Sequence, residues 1–398
     1  MTSLAPPPPA DIDECDFSAR ARALVGQEMF KVLDRAKAIE DAGHRVFHLE
    51  LGNPKVRPPE DLIQRVGWEV THGNTGYTYS GGLPELRRAI AERYATPERP
   101  LGIANVVVSP ANLLINQFLD LCCERGDRVA LFSPAFPTYW AAAAHIGLEA
   151  VAVELDRGIG LQLSFEAVDR AVAATPKAII VNSANNPTGA VYSRPVLDYL
   201  VEQCARHGIW ILSDETYGEL TYDHRFHSLV GSSYPRLVVM SSFSKVLSVP
   251  AFRAGFAIAD PRVVDKLVLS NSTLYSCLPG FVQAGLVEAM KRIDGYIYNV
   301  ARHYHDVARD CAEALRENPW MVFTLPRSAF YFFIDIGFTG MTDMDFCRRL
   351  LEERHVAVTP GSAFGPAHRD QVRIAFCGQA DDVREGIRRL ADFARRET

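Results

Sequence analysis

The sequence predicts an α/β protein built on a mostly parallel seven-stranded sheet, and three observations carry that reading. Between about residues 104 and 260, seven short apolar runs alternate with amphipathic stretches of helical length, the pattern of repeated βαβ units. No repeat or low-complexity linker interrupts this region. A chain of 398 residues that is 48% hydrophobic can also bury a large core.

The strand candidates in order are 105–109, 128–133, 150–154, 178–182, 209–214, 237–241 and 255–259. Helix signals lie between them. The stretch 112–125 is apolar at helical spacing and stops before Gly126, while 193–206 opens on Ser193 as N-cap with Pro195 in its first turn and ends at Gly208. After about residue 285 the texture changes to long, charge-rich helices and then to two strand-like runs, "FYFFIDI" and "QVRIAF"; residues 20–40 are also helical in pattern. The expected organisation is a leader over 1–18, a large domain over 57–285, and a smaller α/β domain assembled from 19–56 and 286–398.

Composition excludes several classes of function. With 42 basic and 48 acidic residues spread along the chain, a net charge of −6 offers no basic stripe for nucleic acid, so a small-molecule partner is expected. Eight cysteines without a CxxC pair or zinc spacing indicate reduced thiols and a cytoplasmic setting, and no metal is expected. No apolar segment reaches the length of a membrane span.

Ligands of open parallel sheets bind beyond the carboxyl ends of the strands, and the residues there form a consistent set. "NNPTG" follows one strand, "DETY" closes the next, and "SSFSK" follows another. Taken singly, each has a plain reading as a turn, a helix cap or a surface lysine. Together they suit an aromatic aldehyde cofactor such as pyridoxal 5′-phosphate. Lys245 would form an imine with the aldehyde, Asp214 would pair with the protonated ring nitrogen, and Asn186 and Tyr217 would donate to the phenolic oxygen. In "SPAN", the amides of Ala111 and Asn112 would sit at a helix N-terminus and hold a phosphate, with Ser242 and Arg253 adding a hydroxyl and a guanidinium. Phe136 in "PAFPTY" would stack on the ring or else pack in the core.

These motifs, in this order, resemble the class I/II aminotransferases: fold type I, pyridoxal-phosphate-dependent enzymes similar to aspartate aminotransferase. The resemblance covers about residues 20–390. "GYTYSGGLPELRRAI" resembles the segment whose tyrosine, here Tyr77 with Tyr79 as the rival, reaches the phosphate in a neighbouring subunit, which implies a homodimer with shared sites and the 272–279 loop near the crossing. "GSAFGPAHRDQVRIAF" resembles the segment whose arginine, Arg373 here, holds the substrate α-carboxylate, and "LELGNP" the loop that closes over substrate at Gly52. The implied activity is transfer of an amino group between an L-amino acid and a 2-oxo acid in amino-acid metabolism or biosynthesis. Lyase or cyclase chemistry on the same scaffold is the alternative, and a non-catalytic sensor module a remote one, since no basic recognition helix precedes the fold. Two departures stand out. "SPAN" replaces a turn that often carries glycine, and "GNPKVR" places Lys55 and Arg57 near the expected entrance, where an acidic or phosphorylated side chain could be met.

Overall fold

A computed structural model describes residues 12–22, 24, 26–223 and 226–397. Of the expected leader, residues 1–11 lie outside the described residues, whereas Glu14–Asp16 forms a 3₁₀ turn and Ala19–Arg22 a short helix. Among the described residues thirteen strands follow in chain order. β1 is Phe47–His48, β2 Val106–Val108, β3 Arg128–Ser133, β4 Glu149–Glu154, β5 Ala178–Val181, β6 Trp210–Asp214, β7 Leu237–Ser242 and β8 Gly255–Ile258. The later part of the chain adds β9 Val322–Phe323, β10 Tyr331–Asp335, β11 Val356–Ala357, β12 Thr359–Pro360 and β13 Gln371–Ala375.

Seven strands form one sheet in the order β2-β8-β7-β6-β5-β3-β4. The β3/β4, β3/β5, β5/β6 and β6/β7 pairs are parallel, and β8 runs antiparallel to both its neighbours, so six strands share one direction. Their near-continuous apolar sequences follow from burial on both faces. Val106, Val108, Ala130, Phe132, Ile179 and Val181 join one core cluster, while the alternate residues Val107, Val129, Leu131, Ala178 and Ile180 join the other.

All seven strand expectations match within a residue or two. The helix expected over 112–125 runs Ala111–Cys122: Cys123 is extended, and Glu124 N donates to Asp127 Oδ2 in the turn that leads into β3. Ser193 stands at the N-cap of Arg194–His207 but its side chain makes no cap bond, while Gly208 ends that helix in the left-handed conformation as expected.

A four-stranded antiparallel sheet, β12-β13-β10-β9, comes from the last third of the chain, with Arg373 on β13 paired between Phe333 of β10 and Thr359 of β12. The early strand β1 pairs in parallel with β11, so both ends of the chain meet here. Leu49 N donates to Ala357 O and Ala375 N to Leu49 O, which seats residues 49–53 alongside β13. That seating delivers Glu50 and Gly52 to the rim of the large sheet.

Candidate active site

Because six strands point the same way, their carboxyl ends share one rim. β8 runs the other way, so Arg253, just ahead of it, reaches the same rim from the start of a strand. A cavity of about 490 Å³ opens there, and its lining includes Gly52, Ala111, Asn112, Phe136, Asn186, Asp214, Tyr217, Ser242, Lys245, Arg253 and Arg373. The cofactor and substrate residues named from the sequence are therefore brought together, except Tyr77 with its rival Tyr79 and the entrance candidates Lys55 and Arg57. Tyr77 is 92% exposed on a separate surface groove, and Tyr79 is exposed as well.

The two asparagines of "NNPTG" divide the labour. Asn185 Oδ1 accepts from Thr188 N at 3.2 Å and Thr188 Oγ1 at 2.9 Å, which fixes the turn. The turn closes at Gly189, whose φ of +67° and approach to Pro326 leave no room for a Cβ. Asn186 lines the cavity. Its Oδ1 accepts from Arg373 Nη1 at 3.2 Å, so the amide nitrogen is the end with protons to give. Asn182, at the end of β5, donates from Nδ2 to Asp214 O at 2.8 Å and accepts Asn186 N at 2.9 Å, tying two strand ends together.

Asp214 is buried, and desolvation pushes its carboxyl above the usual range, opposed by hydrogen bonds from Tyr139 and Thr216. Tyr139 OH donates to Oδ2 at 2.6 Å and Thr216 N to Oδ1 at 3.0 Å. Tyr139 was missed in the sequence. It lies one helical turn after Phe136, and a buried tyrosine at a strand-end rim was the available signal.

Lys245 rides on the short helix Phe243–Val246, which Ser242 caps by accepting from Ser244 N at 3.2 Å. Its Nζ donates to Gly52 O at 2.7 Å. Burial lowers its pKa from the ordinary value to about 8, with Arg373 and Arg253 adding repulsion. Ala111 and Asn112 open the helix Ala111–Cys122, leaving their amides at its positive end. Arg253 sits in the left-handed region at φ +55°, is exposed, and donates to Pro250 O at 2.8 Å.

Arg373 is 1% exposed and meets only neutral acceptors among the described residues. Nη2 donates to Glu50 O and, at 3.1 Å, to Thr359 Oγ1, while Nε has no partner. Tyr331 and Phe364 flank the guanidinium, their ring centres 4.5 and 5.0 Å away. Tyr331 OH also lies 2.8 Å from Tyr217 OH, and this tyrosine too was not singled out from sequence. Lys55 and Arg57 do not line the cavity. The first is exposed with its backbone N bonded to Cys377 O, and the carbonyl of the second accepts from Tyr296 OH.

A half-buried lysine of lowered pKa, a buried carboxylate and a buried arginine lacking an anionic partner, on one rim of a doubly covered sheet, mark a candidate active site for a small ligand. The comparisons make the class specific. Residues 45–390 match the model of "Aminotransferase class I and II", and the chain belongs to that family, which is generally pyridoxal-phosphate-dependent. It is an aminotransferase. The chain is 31% identical over 364 residues to an aspartate aminotransferase of Thermotoga maritima, spanning 90% of this chain and 94% of the relative. It is 33% identical over 386 residues to a probable aspartate/prephenate aminotransferase of Aquifex aeolicus, spanning 94% and 97%. The fold superposes on a Thermus thermophilus aspartate aminotransferase structure with maleate at a TM-score of 0.87, with 26% identity, covering 94% of this chain and 99% of that one. Among the described residues no helix is long and apolar enough to cross a membrane, and no cluster of metal-ligating side chains occurs. Of the eight cysteines, all free, Cys15 is exposed, Cys277 half-buried and the rest buried.

Proposed function

We propose that the protein is a cytoplasmic, homodimeric transaminase that binds pyridoxal 5′-phosphate through Lys245 and exchanges amino groups between an L-amino acid and a 2-oxo acid. The observation that carries this reading is Arg373, a buried cation with neutral neighbours and an orphaned Nε, in the same cavity as Lys245 and Asp214. Among the described residues none of Asp214, Arg253 and Arg373 forms an ion pair, so the site holds one anion and two cations that await ligands of opposite charge.

The cofactor fits that set. A protonated ring nitrogen answers Asp214, a phosphate answers Arg253, Ser242 and the amides of Ala111 and Asn112, and a substrate α-carboxylate answers Arg373. Asn186 Nδ2 and the Tyr217 hydroxyl are the donors for the phenolic oxygen, and Phe136 lies beside the ring. When bound, the cofactor supplies an electron sink that acidifies the α-C–H of an amino acid. The protein does the rest. Arg373 and Asn186 fix the carboxylate and so set which α-bond breaks, a positioning effect. Lys245 Nζ then takes the proton from the substrate α-carbon, and its lowered pKa leaves a useful fraction of free amine near neutrality. The Gly52 carbonyl holds Nζ in place beforehand. Tyr77, exposed on its own chain, is assigned to the phosphate of the partner's site, and the division into 57–285 and 19–56 with 286–398 provides the two bodies that close on substrate.

Lys245→Ala tests the reading. The purified variant should keep its circular dichroism and lose transamination of every amino acid tried, with 2-oxo acid as the product of the parent. Near-normal turnover in the variant overturns the assignment.

A further inference from the structure

The cavity contains more wall than cofactor and α-carboxylate need, and that remainder has a definite chemistry. It is formed by Gln27, Met29, Phe30, Leu51, Asn53 and Pro250. None of the six is charged. Gln27 is occupied in donating to Thr138 Oγ1 at 3.0 Å, which pins the start of the helix Glu28–Asp41 across the rim. Phe30 follows on that helix and is 51% exposed although it lines the cavity, an apolar surface turned toward the place a substrate side chain would occupy.

The cations of the cavity are Lys245, Arg253 and Arg373, and each already has a task in the proposed chemistry. No fourth cation lines the wall among the described residues to meet a second carboxylate. Lys55 and Arg57, the sequence candidates for that role, lie outside the cavity. Nor would the second subunit supply one through the segments expected to cross over. Residues 73–82 around Tyr77, and residues 272–279, contain neither Lys nor Arg.

We infer that the substrate side chain is large, neutral and apolar, aromatic or branched aliphatic, and that dicarboxylic amino acids are poor substrates. This rests on the transaminase reading above. An acidic side chain placed here would surrender its hydration to Phe30 and Leu51 without a counter-charge, whereas a phenyl or isobutyl group covers the exposed carbon of Phe30. Discrimination of about a hundredfold or more is expected, because the wrong side chain leaves a desolvated charge unpaired rather than a methylene missing.

The test uses the holoenzyme in single turnovers, following the cofactor spectrum with L-phenylalanine, L-leucine, L-aspartate and L-glutamate. In parallel, the dissociation constants of 3-phenylpropionate and succinate are measured by calorimetry. Phenylalanine or leucine should exceed both acidic amino acids about a hundredfold in kcat/KM, and 3-phenylpropionate should bind at least about tenfold tighter than succinate. Aspartate or glutamate equalling or exceeding the apolar pair overturns this inference and leaves the transaminase reading standing. Conversion of none of the four likewise overturns this inference, whereas the transaminase reading falls only if Lys245→Ala keeps near-normal turnover. Phe30→Arg should raise aspartate turnover and lower that of phenylalanine about tenfold each with an unchanged cofactor spectrum, and an unaltered ratio in that variant removes Phe30 from the side-chain wall.

Discussion

Replacing Tyr139 with phenylalanine removes a single oxygen from a ring that is 2% exposed, so packing is preserved and the electrostatics of Asp214 change alone. The lost bond is the 2.6 Å donation to Asp214 Oδ2, after which the carboxylate is left to Thr216, whose N donates to Oδ1 at 3.0 Å. Burial already pushes this carboxyl up, and the tyrosine is one of the groups holding it down. A hydrogen bond to a charged group contributes about 1.5–3 kcal/mol, so its loss should push the carboxyl further up. A carboxyl that protonates earlier holds a cationic ring nitrogen less well. Cofactor affinity should therefore fall about tenfold to a hundredfold toward acid pH, with the gap narrowing as pH rises and both proteins ionise fully. Equilibrium titration of the cofactor by absorbance from about pH 5 to 8, with circular dichroism as the check on folding, measures this directly. A Tyr139→Phe protein with the parental dissociation constant at every pH would show that the hydroxyl merely fills space.

Three further outcomes follow from other parts of the site. A Cβ at Gly52 would overlap the Tyr331 hydroxyl and lie 2.9 Å from its Cζ, so Gly52→Ala should cost about 1–3 kcal/mol in denaturant unfolding and lower kcat/KM by displacing the ring that flanks Arg373; adding Tyr331→Phe, which removes the hydroxyl but keeps Cζ, should restore part of the stability. His48 is raised to about 9, chiefly by its hydrogen bond to the buried Glu50. A raised basic group stabilises the fold fully below its unfolded value near 6.5 and loses that contribution as pH climbs through 9; with a third of the side chain exposed, the difference between parent and His48→Gln should be about 1 kcal/mol near pH 6 and vanish near pH 10. In the cofactor-free protein, the rate of reductive labelling of Lys245 by an aldehyde should climb with pH and level off above about 8, whereas a climb that continues to 10 would contradict its lowered pKa.

Much of this architecture was legible because burial on both faces writes each central strand as an apolar run, and six co-directional strands then place all their terminal residues on one rim. What escaped was contact across the sequence. Tyr139 meets an aspartate 75 residues away, Tyr331 meets Tyr217 across 114, and Glu50 lends its carbonyl to an arginine 323 positions on; no spacing marks such pairs. The helix ending at Cys122 was overextended because Glu124 and Arg125 continue the helical pattern while their backbone belongs to a turn. Charge near a motif also misled. Lys55 and Arg57 follow Gly52 by only a few residues, yet the loop directs Gly52 inward and those two outside the cavity.

The same contrast explains how the site can be built at all. Asp214 and Arg373 are buried charges without charged partners, a condition that ordinarily costs several kcal/mol per group. The chain lowers that cost with neutral dipoles: Tyr139 and Thr216 around the carboxylate, Glu50 O, Asn186 and Thr359 around the guanidinium, and two aromatic faces beside it. Neutral partners satisfy hydrogen bonds but leave net charge, so each group remains selective for an ion of opposite sign. Had either been given an ion pair within the chain, the site would gain stability and lose its demand for a ligand. The apolar wall at Met29, Phe30 and Leu51 obeys the complementary rule: with no charge left over, what it selects is surface, and selectivity there is set by the area a side chain can cover.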